Sequence, residues 1–192
     1  MYKFDYLVYI GRFQPFHNAH LETIQIALQH SQQVILALGS AQLERTIKNP
    51  FLAGERQQMI LSNFPEAEQS RLKFVNVIDV YNDEKWQKLV KQLVAEVTSA
   101  GAKIGLIGHF KDDSSYYLKF FPEWEMLELD SLYNAISATP LREAYYRGEI
   151  MNEYFPAGTI QFLQQFEHSS VYQSLQAKFQ QHDVTPLASS AT

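Results

Sequence analysis

The sequence contains no cysteine. Disulfide frameworks, thiol nucleophiles and thiolate-held zinc are thereby excluded, and any chemistry falls to His, carboxylate, Lys, Arg and hydroxyl groups. No apolar run approaches the roughly 20 uninterrupted residues that a membrane span requires. The first five residues, Met1, Tyr2, Lys3, Phe4 and Asp5, lack the basic-then-apolar order of a signal peptide, so a cytoplasmic protein that does not engage membranes is expected. Basic residues are in the minority, 16 against 21 acidic ones, for a net charge of −5. A general nucleic-acid surface needs a basic face that releases counterions, so nucleic acid is not an expected partner; a small anion in a locally basic pocket remains allowed. Also missing are an EF-hand loop, an H-E-x-x-H pair and a dense carboxylate cluster, and no dedicated metal cage is expected. Apolar residues, in contrast, make up 46% of the 192 positions. A chain of that size buries roughly 70% of its unfolded surface in one domain, which excludes disorder as its main state.

Tyr6 to Ile10 (YLVYI) is a short apolar, β-branched and aromatic run that stops at Gly11, and Val34 to Leu38 is another that stops at Gly39. Both have the pattern of buried parallel strands. Between them Leu21, Ile24, Ala27 and Leu28 recur at helical spacing, so Asn18 to His30 is expected to form the crossover helix of a βαβ unit. The alternation repeats through a helix at 53–64, a strand at 72–80, a helix at 84–99, a strand at 104–108, a helix at 113–121 and a strand at 126–129. Five strands alternating with helices predict an α/β fold with a doubly wound parallel sheet. After Asp130 the strand patterns cease, and 139–147, 159–168 and 171–181 read as helices. That segment is too short for a second core and is expected to form a C-terminal helical cap on the same domain. The domain is expected to span residues 1–182, with 183–192 (DVTPLASSAT) as a linker or tail.

Chemistry concentrates at the first strand-to-helix junction, Gly11-Arg12-Phe13-Gln14-Pro15-Phe16-His17-Asn18-Ala19-His20. Ligands of doubly wound sheets bind beyond the carboxyl ends of the strands, where the free N–H groups of the following helix favour an anion. His17 and His20, three residues apart at a helix start, share a face and can reach one anion. Arg12 adds a planar donor suited to phosphate oxygens. Singly, His17 as a helix cap and His20 as a packed histidine would be ordinary; together with Arg12 they point to phosphate. Ile136-Ser137-Ala138-Thr139-Pro140-Leu141-Arg142 forms a second junction. Thr139 followed by Pro140 is expected to supply the N-cap and N1 of a helix, which puts Arg142 at N3. A cation there opposes the helix dipole unless an anion binds beside it. An exposed Arg142 pairing with Glu143 or Glu149 is the alternative.

GRFQPFHNAH is similar to the GRFQPFHxGH form of the (H/T)xGH motif, and ISATPLR to the ISxTxxR motif, of the nucleotidylyltransferase superfamily, whose fold is Rossmann-like. GSAQLERTIKNPFLAGER resembles the corresponding loop and helix start of nicotinamide mononucleotide adenylyltransferases. GHFKDDSSYYLKFFPEW resembles the branch in which that domain is fused to a Nudix hydrolase. The similarity runs from Tyr6 to about Gln181. Two positions depart from the pattern: Ala19 stands where the family usually has Gly, and Lys48 where Arg is common, giving a point charge without a bidentate fork.

The resemblance implies roles for these residues. His17 and His20 would contact the α- and β-phosphates of ATP, Arg142 the β- and γ-phosphates, and Arg12 and Lys48 would gather charge around the transferring group. Gly11, Phe13, Ile136, Ser137 and Thr139 would complete the phosphate side, with Gly108 and His109 beside the adenosine. Glu55 and Arg56 would shape the loop by ion pairing. Asp79 and Trp86, seven residues apart, would flank the nicotinamide ring. The implied activity is transfer of AMP from ATP to nicotinamide mononucleotide (NMN), giving NAD and pyrophosphate, with magnesium carried on the ATP phosphates. A pantetheine-phosphate adenylyltransferase or a cytidylyltransferase shares the histidine logic but has no evident use for the Asp79 and Trp86 pair. Intact His17, His20 and Arg142 weigh against a non-catalytic nucleotide sensor. The sequence lacks a Nudix box, yet its linker-like end is what the transferase half of a bifunctional protein would have; a homo-oligomer is left open.

Overall fold

Successive side chains of a strand point to opposite faces. In β1 (Phe4–Gly11) both faces are buried, with Leu7 and Tyr9 in one apolar cluster and Tyr6, Val8 and Ile10 in another. β2 (Ser31–Leu38) repeats the arrangement, Val34, Leu36 and Leu38 on the first side, Ile35 and Ala37 on the second. Strands buried on both faces belong in the middle of a parallel sheet covered by helices. In the computed structural model, which describes residues 1–42, 44–109, 113–130 and 136–183, they do. The described residues build a five-stranded parallel sheet in the order β3-β2-β1-β4-β5, where β3 is Leu72–Asn76, β4 Ile104–Gly108 and β5 Glu125–Glu128.

Helix α1 (Asn18–His30) places Ile24, Ala27 and Leu28 in the first cluster, and α2 (Ala53–Leu61) adds Met59 and Ile60. After the short α3 (Glu66–Gln69), α4 (Asp83–Glu96) covers the second face through Val90 and Val94, joined by Leu118 from a 3-10 helix at Asp113–Phe120. The fold is thus the doubly wound one expected. Helices α5 (Ala138–Tyr146), α6 (Ala157–Phe166) and α7 (Ser170–Asp183) extend the first helical layer, since Leu141, Tyr145, Leu163, Tyr172 and Phe179 share one cluster with Leu7 and Ile24. Among the described residues no helix is long and apolar enough to cross a membrane.

Several boundaries differ from expectation. β3 stops at Asn76 because its partner stops: Leu38, the last residue of β2, pairs with Asn76. Val77 remains tied to the sheet by bonds to Leu38 O (2.9 Å) and from Ala41 N (3.0 Å), and the chain then leaves to form the loop at 78–82. The expected helix at 53–64 breaks after Leu61, with Pro65 serving as N-cap of α3. The segment expected as an α-helix at 113–121 is the 3-10 helix. At the second junction Ser137, not Thr139, is the N-cap, which makes Pro140 the third helical residue and moves Arg142 beyond the first turn. Proline is tolerated there because an N–H in the first turn has no helical acceptor to lose. α7 includes Asp183, one residue past the expected boundary; residues 184–192 of the expected tail lie outside the described residues.

β1 is flanked by β2 on one side and β4 on the other, so the connections leave its neighbourhood in opposite directions. A crevice at the carboxyl ends of the strands follows from that reversal.

Candidate functional site

A cavity of about 610 Å³ occupies the crevice. Each wall is the segment that follows a strand: Gly11 and Arg12 after β1, Gly39 and Ser40 after β2, residues 79–83 after β3, Gly108 and His109 after β4. Ser137 from the start of α5 and Tyr117 from the 3-10 helix complete it.

The β1–α1 loop owes its shape to buried polar contacts made across long sequence separations. Gln14, 2% exposed, donates from Nε2 to Phe51 O (2.9 Å) and accepts at Oε1 from Phe51 N (3.0 Å). The Gln14 carbonyl in turn accepts from Arg142 Nη1 at 2.9 Å, so α5 is tied to the same loop. Phe13 adopts φ 53°, a left-handed conformation costly for a bulky side chain. Its ring is buried edge-on against Tyr9 (5.3 Å between centroids) and His20 (4.8 Å), contacts that offset the strain. That ring lies over Gly11, where a Cβ would come within 2.8 Å of Phe13 Cζ. Gly11→Ala is therefore expected to displace Phe13, and His20 with it, at an overpacking cost of about 1–3 kcal/mol. Calorimetry should show the melting temperature falling by several degrees, about 2–4 °C per kcal/mol for a chain of this size; an unchanged melting temperature would mean that Phe13 moves freely.

His17 is the N-cap of α1, and its backbone N–H donates to Nδ1 of His20, the third helical residue, at 3.2 Å. An imidazole thus takes the place of the carboxylate in a reciprocal cap. Because a backbone N–H can only donate, Nδ1 of His20 keeps its lone pair and the ring proton resides on Nε2. The two imidazoles stack with centroids 3.7 Å apart; His17 is 3% exposed and lies behind, while His20 borders the cavity. Ala19 also borders it.

Three guanidinium groups converge at this junction. Arg142 is buried, and burial, followed by the nearby Arg12, lowers its affinity for a proton. Arg56, 1% exposed, is pushed down to about 10 by burial and then by Arg12, against an opposing pull from Asp79 and Glu55. The expected ion pair of Arg56 is not what forms. Its Nη1 donates to Arg12 O (2.8 Å) and Gly39 O (2.7 Å), and its Nη2 to Ser40 O (3.3 Å), clamping the ends of β1 and β2 together. Ion pairing falls instead to Glu55, which takes both Arg45 nitrogens at 2.7 Å and accepts from Leu52 N at the start of α2.

Further round the cavity, His109 Nδ1 lies 3.1 Å from the carbonyl of Leu129; a carbonyl only accepts, so Nδ1 carries the proton. Asp79 and Trp86 line the same cavity, as their spacing around the β3–α4 connection allows. Asn82 caps α4 by accepting from Lys85 N at 2.9 Å, which fixes the helix that presents Trp86. The Trp86 ring stands edge-on to Tyr117 (5.8 Å) and Phe121 (5.9 Å).

Of the residues singled out in the sequence, Gly11, Arg12, His20, Asp79, Trp86, Gly108, His109 and Ser137 form the cavity wall. Phe13, His17 and Arg142 do not border it: Phe13 and His17 pack against His20, and Arg142 is tied to the carbonyl of Gln14 in the β1–α1 loop. Lys48 is exposed at the tip of the loop closed by mutual Thr46 and Asn49 backbone bonds, and neither it nor Ile136 or Thr139 borders the cavity. Sequence reasoning missed Ser40, Tyr81 and Tyr117, which sit in loops or on a 3-10 helix where periodicity carries no information. Among the described residues no three His, Asp or Glu side chains converge as metal ligands.

A family model described as cytidylyltransferase-like matches residues 8–170. The chain is 64% identical over 187 residues to the nicotinamide/nicotinic acid mononucleotide adenylyltransferase of Acinetobacter baylyi, covering 97% of this chain and 100% of that one. It is 33% identical over 141 residues to the nicotinamide-nucleotide adenylyltransferase of Picrophilus torridus, covering 73% of this chain and 79% of the other. Among solved structures, a bifunctional NMN adenylyltransferase/ADP ribose pyrophosphatase of Francisella tularensis, complexed with AMP and a manganese ion, superposes with a TM-score of 0.85 at 36% identity. That match covers 93% of this chain but 53% of the Francisella protein, so the chain spans about half the length of that relative. Sequence motifs, sheet order, cavity and relatives agree, and the chain belongs to the cytidylyltransferase-like family of nucleotidyltransferases.

Proposed function

We infer that the chain is a nicotinamide mononucleotide adenylyltransferase, joining NMN to the AMP part of ATP to give NAD and pyrophosphate. The observation that carries this reading is that one cavity is lined by two unlike sets of side chains. The Nε2–H of His20 and the guanidinium of Arg12 suit phosphate; the carboxylate of Asp79 and the indole of Trp86 suit a pyridine carboxamide.

In the reaction a phosphate oxygen of NMN attacks the α-phosphorus of ATP in line and pyrophosphate leaves. Such a transfer needs positioning and charge neutralisation rather than a covalent intermediate. A phosphate monoester is already largely ionised near neutral pH, so no side chain is required as base. His20 donates through Nε2 to the oxygens of the transferring group, with its ring held by His17 and Phe13. Arg12 and Arg142 neutralise the triphosphate, and the N–H groups at the start of α5 beside Ser137 add donors of fixed direction. His109 and Gly108 meet the adenosine. A divalent cation, magnesium, would be carried on the ATP phosphates and would supply charge neutralisation at the leaving group; Arg12 and His20 on the cavity wall suit the phosphate oxygens, and among the described residues no cluster of three carboxylate or imidazole ligands would hold the ion by itself. Residues 1–182 act as the transferase domain.

Asp79 sets the preference between the two mononucleotides. Its carboxylate accepts a charge-assisted bond from the carboxamide of NMN, whereas nicotinate mononucleotide brings a second carboxylate to the same half-buried spot. The parent is expected to favour the amide, and Asp79→Asn to narrow the preference by raising use of the acid. The kcat/KM ratio for the two substrates measures this, and an unchanged ratio in Asp79→Asn would place that residue away from the ring.

The functional reading is tested with purified protein, ATP, magnesium and a panel of mononucleotides, products being separated by chromatography. Equimolar NAD and pyrophosphate from NMN are expected; a product only from another acceptor would overturn the reading.

A further inference from the structure

Among the described residues, three other than glycine have a positive φ: Phe13 (53°), Ser40 (48°) and Tyr81 (51°). In two of them the cost of the left-handed conformation is offset within the protein. Phe13 is 1% exposed among aromatic rings, and the carbonyl of Ser40 accepts from Arg56. Tyr81 has no such return. It is 94% exposed, so its ring gains almost nothing from packing, and a large aromatic surface is left in water.

Glycine or asparagine would adopt this backbone at lower cost. The loop around Tyr81 is nevertheless fixed at both ends. Val77 is bonded to β2, Asn82 caps α4, and Asp83 accepts from the hydroxyl of Tyr116 at 3.2 Å. The strained conformation therefore holds a solvent-exposed ring at the cavity, two residues from Asp79 and on the connection that leads to Trp86. Strain that nothing in the free protein offsets is an indication of function when it lies at a ligand cavity.

We propose that Tyr81 is a substrate-contacting residue whose ring packs on bound NMN from the solvent side of the cavity. This rests on the reading of Asp79 and Trp86 as the mononucleotide site. The contact removes the exposed face of the phenol from water and stacks it on a flat pyridine or its ribose, so both costs carried by the free protein are offset only in the complex. The hydroxyl plays no part in this contact.

The test compares the parent with Tyr81→Asn, Tyr81→Gly and Tyr81→Phe in melting temperature and in steady-state kinetics with ATP and NMN varied separately. Tyr81→Asn is expected to melt at or above the parent temperature, because asparagine tolerates the left-handed region. In Tyr81→Asn and Tyr81→Gly the KM for NMN rises about tenfold, the size expected for losing one aromatic contact to a base, while the KM for ATP stays within about twofold. Tyr81→Phe matches the parent. An NMN KM within twofold of the parent in both Tyr81→Asn and Tyr81→Gly, or an equal rise for ATP, would overturn the proposal while leaving the transferase reading intact. A parent that forms no NAD at all would overturn both.

Discussion

Alanine in place of His20 is expected to lower turnover about a hundredfold or more while the fold persists. Removing one preorganised donor from a developing transition-state charge costs about 3 kcal/mol, and each 1.4 kcal/mol is roughly tenfold in rate. The donor here is well prepared. Nδ1 is engaged by the His17 backbone, which fixes the proton on Nε2, and contacts with Phe13, Phe16 and His17 hold the ring plane. Losing the cap bond adds about 1 kcal/mol of destabilisation, a small part of the stability of a domain. Circular dichroism and a thermal melt separate that loss from catalysis. Turnover within about threefold of the parent would remove His20 from the chemistry.

Arg142→Ala is expected to weaken ATP about tenfold to a hundredfold and to leave NMN binding nearly unchanged. Charge-assisted hydrogen bonds contribute roughly 1.5–3 kcal/mol each, and the inferred partners of Arg142 are the leaving phosphates. Burial and the proximity of Arg12 make its charge costly in the free protein, a cost that a bound polyphosphate relieves. Arg142 also holds the Gln14 carbonyl, so the alanine variant loses some loop order. Arg142→Lys retains the charge without the fork and should recover only part of the ATP affinity. Titration calorimetry with each ligand decides the matter. Equal weakening of both ligands would mean that Arg142 acts through the loop alone, and unchanged ATP affinity would place it outside the triphosphate site.

Local pattern made α1 legible to its exact ends, because Leu21, Ile24, Ala27 and Leu28 keep one periodicity and His17 precedes it with the extended backbone of a cap. The sheet was legible as a set of strands, since apolar runs buried on both faces have few other uses. Limits of strands were less so. Val77, Ile78 and Val80 prolong the apolar run of β3, but β2 offers no further partner after Leu38, and that is a fact about a different segment. Similarly, Ser137 and Thr139 are both good caps, and proline fits N1 and N3 alike, so composition left the start of α5 two residues uncertain.

The site shows the same division. Its two phosphate-facing junctions could be read because each is a short contiguous motif. What ties them together could not: Arg56 lies 44 residues from Arg12, and Arg142 lies 128 residues from Gln14. From sequence Arg56 resembles an ion-pairing residue beside Glu55, yet adjacent helical positions do not face each other. The folded chain sends Glu55 to Arg45 and Arg56 to three carbonyls at the ends of two strands. Tyr81 was invisible for a related reason, as its exposure and backbone conformation are properties of the loop and not of any pattern in the residues around it.

The proposed transfer is a single in-line displacement at the α-phosphorus of ATP, assisted by donors and cations and passing through no adenylylated side chain. It is tested most directly with ATP carrying sulfur in place of one α-phosphate oxygen, of a single configuration at phosphorus, and NMN as acceptor. One displacement inverts that centre, so the NAD product, which carries the sulfur on the adenosine-side phosphorus, is predicted to have the inverted configuration. Retention would require two displacements and a covalent intermediate on the protein, and it would contradict the account.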